Sequence, residues 1–380
     1  MKVRVTGTLQ TYRLCSFCSE RQGRGAPGFV VVPGAECAVC SGLMDRTRAI
    51  GELAVKRVRY FEFRTFAVGV SLTEGVQEKE DELRSELRLK GSETIKTQAA
   101  RLVASVVSRS VGKPQDKKSP DITILANFQV GDVSVASKPV FYYGRYSKPS
   151  GIAQRRSFCE QCRGSGCERC RRTGYEQKPS VEEALRKKLA DMSGSTKIVF
   201  TWLGSEDRES RVYPPGRPFV AEIKNPKKRR LPRKFGTRLR RGALAVTAGR
   251  VLPSKPTRLP SFKFLTEIRA VAASRVDPKS LRELKSAFKD APVTFRRPNG
   301  KPTTKTVHRV SATSKGRVIL IRAELDGGLP VKRFVNGELV SPSVSEVLKT
   351  EVGCRSFDIC KVKEIGEFGF AEIARNEEKN

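Results

Sequence analysis

Trp202-Leu203-Gly204-Ser205-Glu206-Asp207-Arg208, with Arg217-Pro218-Phe219-Val220-Ala221-Glu222-Ile223 beginning ten residues after Asp207, is the stretch that decides the fold of the carboxyl half. An apolar run, Ile198-Val199-Phe200, leads into it, Gly204 turns the chain, and a second run from Phe219 to Ile223 carries it back. The pattern predicts strand, exposed loop, strand, with Glu206, Asp207, Arg208, Glu209 and Arg211 on the loop. A loop carried by flanking strands holds a reactive carboxylate in one pose. Spacing alone favours an ordinary charged turn, so the rest of the chain has to decide.

Composition sets the bounds. At 380 residues the chain has room for two or three domains with real cores. Its 74 Lys and Arg against 40 Asp and Glu give a formal charge of +34, too lopsided for an enzyme of small metabolites. That balance suggests a polyanionic partner, nucleic acid first among them. An anionic membrane surface competes, but no apolar run approaches a span and the basic residues do not form an amphipathic helix. The start, Met1-Lys2-Val3-Arg4, lacks the apolar region of a signal peptide, so an intracellular, cytoplasmic protein is expected.

Eight of the ten cysteines form four C-x-x-C knuckles: Cys15/Cys18, Cys37/Cys40, Cys159/Cys162 and Cys167/Cys170. Two thiolates two residues apart grip one tetrahedral zinc from a tight turn, and two knuckles close the site. Disulfides are the alternative, and they need an oxidising compartment that nothing here supports. Pairing within or between the two sets stays open. With four thiolates and no histidine nearby, each set reads as structural Zn2+, and no organic cofactor is expected. Cys354 and Cys360 read as buried thiols.

Along the chain, residues 1–45 read as a knuckle module, Gly-rich from Arg21 to Gly28 and too poor in apolar residues to fold without metal. Arg57 to Val70 predicts a β-rich run and Gln77 to Lys90 a solvated helix. Thr94 to Val111, opened by Ser92, has helical spacing, and Asp121 to Phe128 reads as a buried strand. With Val140 to Tyr143 as a further short strand, these make an α/β module. Phe141-Tyr142-Tyr143-Gly144-Arg145-Tyr146 interleaves aromatics with basic residues, as a base-stacking RNA surface does, or as a linker packed on the second knuckle does. Ser180-Val181-Glu182-Glu183 predicts a helix start. Ten of the eighteen residues from Lys224 to Arg241 are Lys or Arg, broken by Pro226, Pro232 and Gly236. That run, with Lys227, Lys228, Arg229 and Arg230 at its centre, predicts a flexible basic arm that tracks phosphates. Ser280 to Phe288 and Ser343 to Leu348 predict short helices, and Arg317 to Leu325 a strand.

Taken in order, the Phe63-to-Val70 run, Gly144-Arg145-Tyr146 with Gln154, Cys159 to Gly174, Gly204-Ser205-Glu206-Asp207 with Gly216-Arg217-Pro218-Phe219-Val220, and Gly327-Gly328-Leu329-Pro330-Val331-Lys332 form one series. Over essentially its whole length the chain resembles the archaeal and eukaryotic tRNA pseudouridine synthases that carry a THUMP domain, the Pus-ten family. The resemblance implies an α+β protein: a knuckle module at 1–45, a THUMP-like RNA-binding domain at 46–145, a second cysteine-rich linker at 146–177, and a catalytic domain at 178–380 with a mixed, largely antiparallel sheet.

The implied chemistry is isomerisation of uridine in the T-loop of tRNA, at one or both of two adjacent uridines. Asp207 would be the nucleophile and Lys332, on a strand-like segment after Gly328, its charge partner. The target base must leave the stack to be reached. Arg145, Tyr146, Arg211, Arg217, Ile268, Pro330 and Lys227 to Arg230 are the expected substrate-binding residues, and the partner is tRNA, through its T-arm, elbow and acceptor end, bound by a monomer. Three positions depart from the family: Ser205 replaces an arginine, Pro330 a tyrosine, and Ile268 stands where a second tyrosine is found. The only histidine, His308, reads as structural or as an RNA-surface residue. A second reading of the same surfaces is a catalytically weak relative acting as a tRNA-binding or RNA-folding factor.

Overall fold

Residue alternation explains most of the architecture seen in a computed structural model, which describes residues 11–22, 28–89, 93–239, 242–297 and 299–370. The chain folds as two units. One comprises the described residues up to Pro139 together with Asn225–Arg229; the other runs from Val140 to Lys224 and from Arg230 onward.

The first unit begins with β1 (Tyr12–Leu14), α1 (Ser16–Gln22) and β2 (Phe29–Val31). It continues through α2 (Thr47–Val58), β3 (Phe66–Ser71), α3 (Val76–Glu86), α4 (Ile95–Val111), β4 (Ile122–Asn127) and β5 (Asp132–Ser137). β3 pairs in parallel with β4, and β4 antiparallel with β5. The predicted strand between Arg57 and Phe66 is absent, because α2 carries Val55 and Val58 into the core and the strand starts only at Phe66. Thr94, not Ser92, caps α4: its side chain accepts the Thr97 N–H, and Ser92 lies outside the described residues. α3 is not wholly solvated, since Glu80 is buried.

One apolar core runs from Leu14 to Val133 and takes in the first four cysteines, so the knuckle is an inlaid part of this unit. A buried polar lock joins it to the helices. Arg21 donates from Nε to Glu80 at 2.6 Å and from Nη1 to Gln98 at 2.5 Å, and Glu80 also accepts the Ile95 N–H at 2.8 Å. A charge pair this deep is tolerated because every partner is satisfied.

The second unit is built on β6 (Val140–Lys148), α5 (Val181–Ser193), β7 (Lys197–Trp202), β8 (Val212–Lys224), β9 (Phe235–Leu239), β10 (Gly242–Leu252), β11 (Pro256–Arg258) and β12 (Ser261–Ala272). Then follow α6 (Pro278–Ala287), β13 (Ala291–Arg296), β14 (Pro302–Lys315), β15 (Val318–Asp326), α7 (Val331–Asn336), β16 (Val340–Ser341), α8 (Val344–Leu348), β17 (Val352–Ile365) and β18 (Gly369–Phe370). The main sheet orders as β16-β13-β14-β15-β12-β17-β8-β6-β10-β9, with β7 also on β8. Its one parallel contact is β17 with β8 at Ile359 and Val212; the other pairs are antiparallel. β12 shows why: Phe262, Phe264, Thr266, Ile268, Ala270 and Ala272 face inward at every second position. Ser180 caps α5 by accepting the Glu183 N–H, and Val181, Leu185 and Leu189 bury its inner face.

Two expectations change here. β6 belongs to this sheet and not to the first unit, and Tyr142, Tyr143 and Tyr146 are buried in it, so that aromatic run is core and not a stacking surface. The basic run is not one flexible arm either: Asn225–Arg229 belongs to the first unit, and Phe235–Leu239 is β9, paired with β10. Arg240 and Arg241 lie outside the described residues. Among the described residues no helix is long and apolar enough to cross a membrane.

Candidate active site

The loop between β7 and β8 carries Glu206 and Asp207 as predicted, and the sheet beneath it immobilises its backbone. Lys148, the last residue of β6 and almost fully buried, aims its ammonium at the carbonyls of Asp207 (3.4 Å), Arg208 (3.3 Å) and Ser210. Burial lowers the Lys148 pKa, with neighbouring acids, Glu206 first, opposing it. Gly151 donates its N–H to the Arg208 carbonyl at 2.9 Å, and Arg211 its own to Asp358 at 2.9 Å.

Glu206 is the anchor. Its side chain has no exposure and faces Arg217, itself buried, at 3.3 Å. Tyr146 donates its hydroxyl to Glu206 at 2.8 Å, while Gln154 donates to the same hydroxyl oxygen at 2.8 Å and to the Gly204 carbonyl at 3.2 Å. Burial, then the Glu206 charge, pushes the Tyr146 phenol well above its ordinary value, so it remains a donor. Arg217 also lies 4.8 Å from the Phe264 ring centroid. Gly204 sits at φ +98°, and a Cβ there would lie 2.0 Å from the Arg217 guanidinium, so only glycine lets the loop close over that arginine.

With its neighbour turned inward, Asp207 turns outward. Its side chain is 37% exposed and receives the Lys332 ammonium at 2.8 Å. Lys332 rides on α7, a helix opened by Pro330, and not on a strand. The hydrogen bond that Lys332 donates to Asp207 raises the Lys332 pKa, with partial burial opposing. Cys354 lies close enough to sense both charges: burial pushes it up to about 11, Lys332 pulls it down and Asp207 pushes it up. A carboxylate and an ammonium, both partly exposed, are thereby presented together on a loop whose backbone is hydrogen-bonded from beneath. Such an arrangement suits a nucleophilic acid whose charge must be held without being buried.

The other expected binding residues fall elsewhere. Tyr146 and Arg217 are enclosed under the loop, and Arg145 is spent on the Val362 carbonyl and Glu364. Ile268 is fully buried in β12 and offers no face to a base. Arg211 is exposed, its guanidinium over the Tyr213 ring at 5.6 Å. Arg229 is docked within the first unit, donating to Ser137 at 3.0 Å and to the Lys138 carbonyl at 2.7 Å, whereas Lys227 and Lys228 are exposed. His308 lies between Asp290 (3.1 Å) and Asp326 (2.9 Å), a structural position. Lys148 and Gln154 as loop supports were not anticipated. Period-2 alternation along β6, which puts Lys148 on the face of Tyr142 and Tyr146, is the signal that finds the former.

The cysteines pair within each set: Cys15, Cys18, Cys37 and Cys40 converge, and so do Cys159, Cys162, Cys167 and Cys170, with all sulfurs of a set within 4.8 Å of one another. A tetrahedron with zinc–sulfur bonds of about 2.3 Å has edges of about 3.8 Å. Several separations match it: 3.6 Å for Cys15 and Cys40, 3.8 Å for Cys159 and Cys167, and 3.7 Å for Cys162 and Cys170 and for Cys167 and Cys170. In the second set Gly166 donates its N–H to Cys162, and Cys167 and Gly174 donate theirs to Cys170. The Cys167 N–H is the largest influence in bringing Cys170 down to about 6, and Gly174 adds to it. Both donor sets fit a thiolate-bound metal of the zinc type.

Residues 50–127 match the family description "Pus10 THUMP domain, archaeal", and residues 141–247 match "Pus10, C-terminal". A protein of Nitrosopumilus maritimus named tRNA pseudouridine synthase Pus10 is 30% identical over 86% of this chain and 85% of its own length. One of the same name from Cenarchaeum symbiosum is 29% identical over 89% and 84%. Another from Methanosphaera stadtmanae is 26% identical over 94% of this chain and 97% of its own.

Proposed function

Because the chain belongs to the Pus10 family of tRNA pseudouridine synthases, we propose that it isomerises uridine in the T-loop of tRNA, with Asp207 as nucleophile and Lys332 as its charge partner. The observation that carries this reading is the 2.8 Å Asp207–Lys332 contact on a loop whose backbone is pinned by Lys148, Gly151 and Asp358. The reaction breaks the bond from C1′ to N1 of uracil and joins C1′ to C5. The proton lost from C5 is balanced by one gained at N1, so no redox partner or co-substrate is needed. An exposed carboxylate reaches C1′ only if the nucleotide is everted from the T-loop. Lys332 orients the carboxylate through their contact, and Glu206, turned inward, serves as ballast for the loop.

Unmodified tRNA incubated with the purified chain is expected to gain pseudouridine in the T-loop, detected by chemical mapping. Product confined to another arm, or none at all, overturns the reading. One observation favours the second function: neither Pro330 nor the enclosed Ile268 supplies an aromatic plane for the target base. Tight tRNA binding without product would identify a tRNA-binding or RNA-folding factor.

The basic run makes a separate contribution to tRNA binding. Replacing Lys227 and Lys228 by Gln is expected to weaken all tRNAs alike and to lower the slope of log affinity against log salt by about 2, roughly 0.9 for each phosphate contact. Fluorescence anisotropy across a salt series reads both quantities. An unchanged slope excludes the run from the interface. Arg229→Gln is expected to lower stability instead, since its guanidinium is committed to Ser137 and Lys138.

A further inference from the structure

The second cysteine knuckle carries an aromatic stack that the reaction does not use. Phe158 is 63% exposed, and its ring stacks on Tyr175 with centroids 5.2 Å apart and planes 20° apart. The Arg156 guanidinium lies 3.7 Å from the Tyr175 centroid and is itself held by Glu182 at 3.4 Å and Glu183 at 3.3 Å. One exposed aromatic ring is ordinary. This one is different because it neighbours a cysteine tetrad and is backed by a second ring that a fixed guanidinium supports, which lowers the side-chain freedom to be lost on binding. Its surroundings are cationic: residues 155–178 hold seven Lys and Arg against three Glu, with Arg155, Arg163 and Arg171 exposed.

A second alternation of guanidinium and ring lies between α5 and β7. A cavity of about 500 Å³ is lined by Arg155, Glu182, Arg186, Phe200 and Trp202. Arg186 stands 5.5 Å over Phe200 and is paired with Glu182 at 2.9 Å, and Phe200 stacks on Trp202 at 5.2 Å and 17°, which leaves Arg155 as the exposed cation of this cavity. Trp202 is the last residue of β7, five positions before Asp207.

We propose that Phe158 is a stacking platform for an unpaired base of the RNA substrate, and that the groove from Arg155 to Trp202, with Arg155 as its exposed cation, carries the adjoining backbone toward Asp207. Every base has a π-face, so a platform of this kind adds affinity without demanding a sequence, and the flanking arginines supply the phosphate contacts. This inference rests on the RNA reading above and concerns a site that touches no reacting atom.

The test uses the whole, metal-loaded chain and a short oligouridylate bearing one 5-iodouridine, which couples on irradiation to the aromatic ring it stacks against. The expected adduct maps to Phe158. Phe158→Ala is expected to lose it and to bind tRNA about tenfold more weakly, while Phe158→Tyr retains both. An adduct confined to other residues, or full tRNA affinity in Phe158→Ala, overturns the proposal. Should Phe158→Ala lose its metal, the position of the adduct on the unaltered chain decides. Asp207→Ala is expected to keep the adduct. An adduct at Phe158 without any pseudouridine formed from tRNA refutes only the isomerase reading; pseudouridine without the adduct refutes only the platform.

Discussion

Asp207→Ala is expected to abolish pseudouridine formation, by on the order of 10⁴-fold or more, with tRNA affinity close to that of the unaltered chain. The separation follows from the geometry. Asp207 contributes nothing to the buried lock beneath it, which is made by Glu206, Arg217, Tyr146 and Gln154. Its single ion pair, with side chains 37% and 49% exposed, is of the kind worth about 0–1 kcal/mol to stability. The variant should therefore melt within a few degrees of the parent, and lost product cannot be blamed on a lost fold. Lys332→Met is expected to fall less, by about 10²-fold, because it removes a charge that stabilises and not the attacking group. Lys332→Arg restores part of the rate. The pH dependence has a definite sign: the hydrogen bond to Asp207 raises the Lys332 pKa, so its ammonium is fully present at neutral pH and is lost only as pH rises through that raised value. An alkaline fall of activity below the ordinary lysine range would have to come from another group. Single-turnover pseudouridine assays give the rates. Product from Asp207→Ala at a rate within tenfold of the parent would remove Asp207 from the chemistry.

How much of this was legible in the sequence depends on how far apart the interacting residues lie. The strand–loop–strand frame of Asp207 is local, and alternation around Phe219 found it. The contact with Lys332 spans 125 positions, and only the family resemblance points to it; even then the residue is expected on a strand-like segment after Gly328. The structure shows α7 there, started by Pro330 and ended at Gly337 with φ +84°. The run around Tyr142 and Tyr146 reads two ways for a related reason. Interleaved aromatic and basic residues look alike on an RNA surface and in a strand whose inward face is apolar, and only the neighbours, β8 and β10, reveal which face is covered. Ile268 and Arg217 were assigned to substrate by position in a motif, whereas packing encloses both. The cysteine knuckles were legible because their spacing is itself the chemistry; their pairing was not, since four knuckles can close two sites in more than one way.

Loss of the first tetrad should unfold the first unit while leaving the second standing. Cys15, Cys18, Cys37 and Cys40 are each no more than 2% exposed and belong to the same core as Phe66, Ile122 and Phe128. Arg21 donates to Cys18 at 3.4 Å while locking Glu80 and Gln98, so the metal site and the helices share one buried network. A structural zinc held by four thiolates contributes an apparent 10–16 kcal/mol at about neutral pH. That is comparable to the roughly 5–15 kcal/mol by which a whole domain is stable. Cys18→Ser with Cys37→Ser should therefore cost the first unit its cooperative fold. The matching pair Cys162→Ser and Cys167→Ser should loosen only its surface knuckle, because those two thiols are partly exposed and stand outside the apolar core of the second unit. The chain supplies its own reporter: its one tryptophan, Trp202, lies in the second unit. In the first double variant, hydrogen exchange of the α4 amides should become fast while Trp202 emission keeps its position. Elemental analysis of the reduced, unaltered chain should find two zinc ions and each double variant one. Slow exchange in α4 after loss of the first metal would show that the core holds without it, and a chain free of zinc would remove the metal assignment altogether.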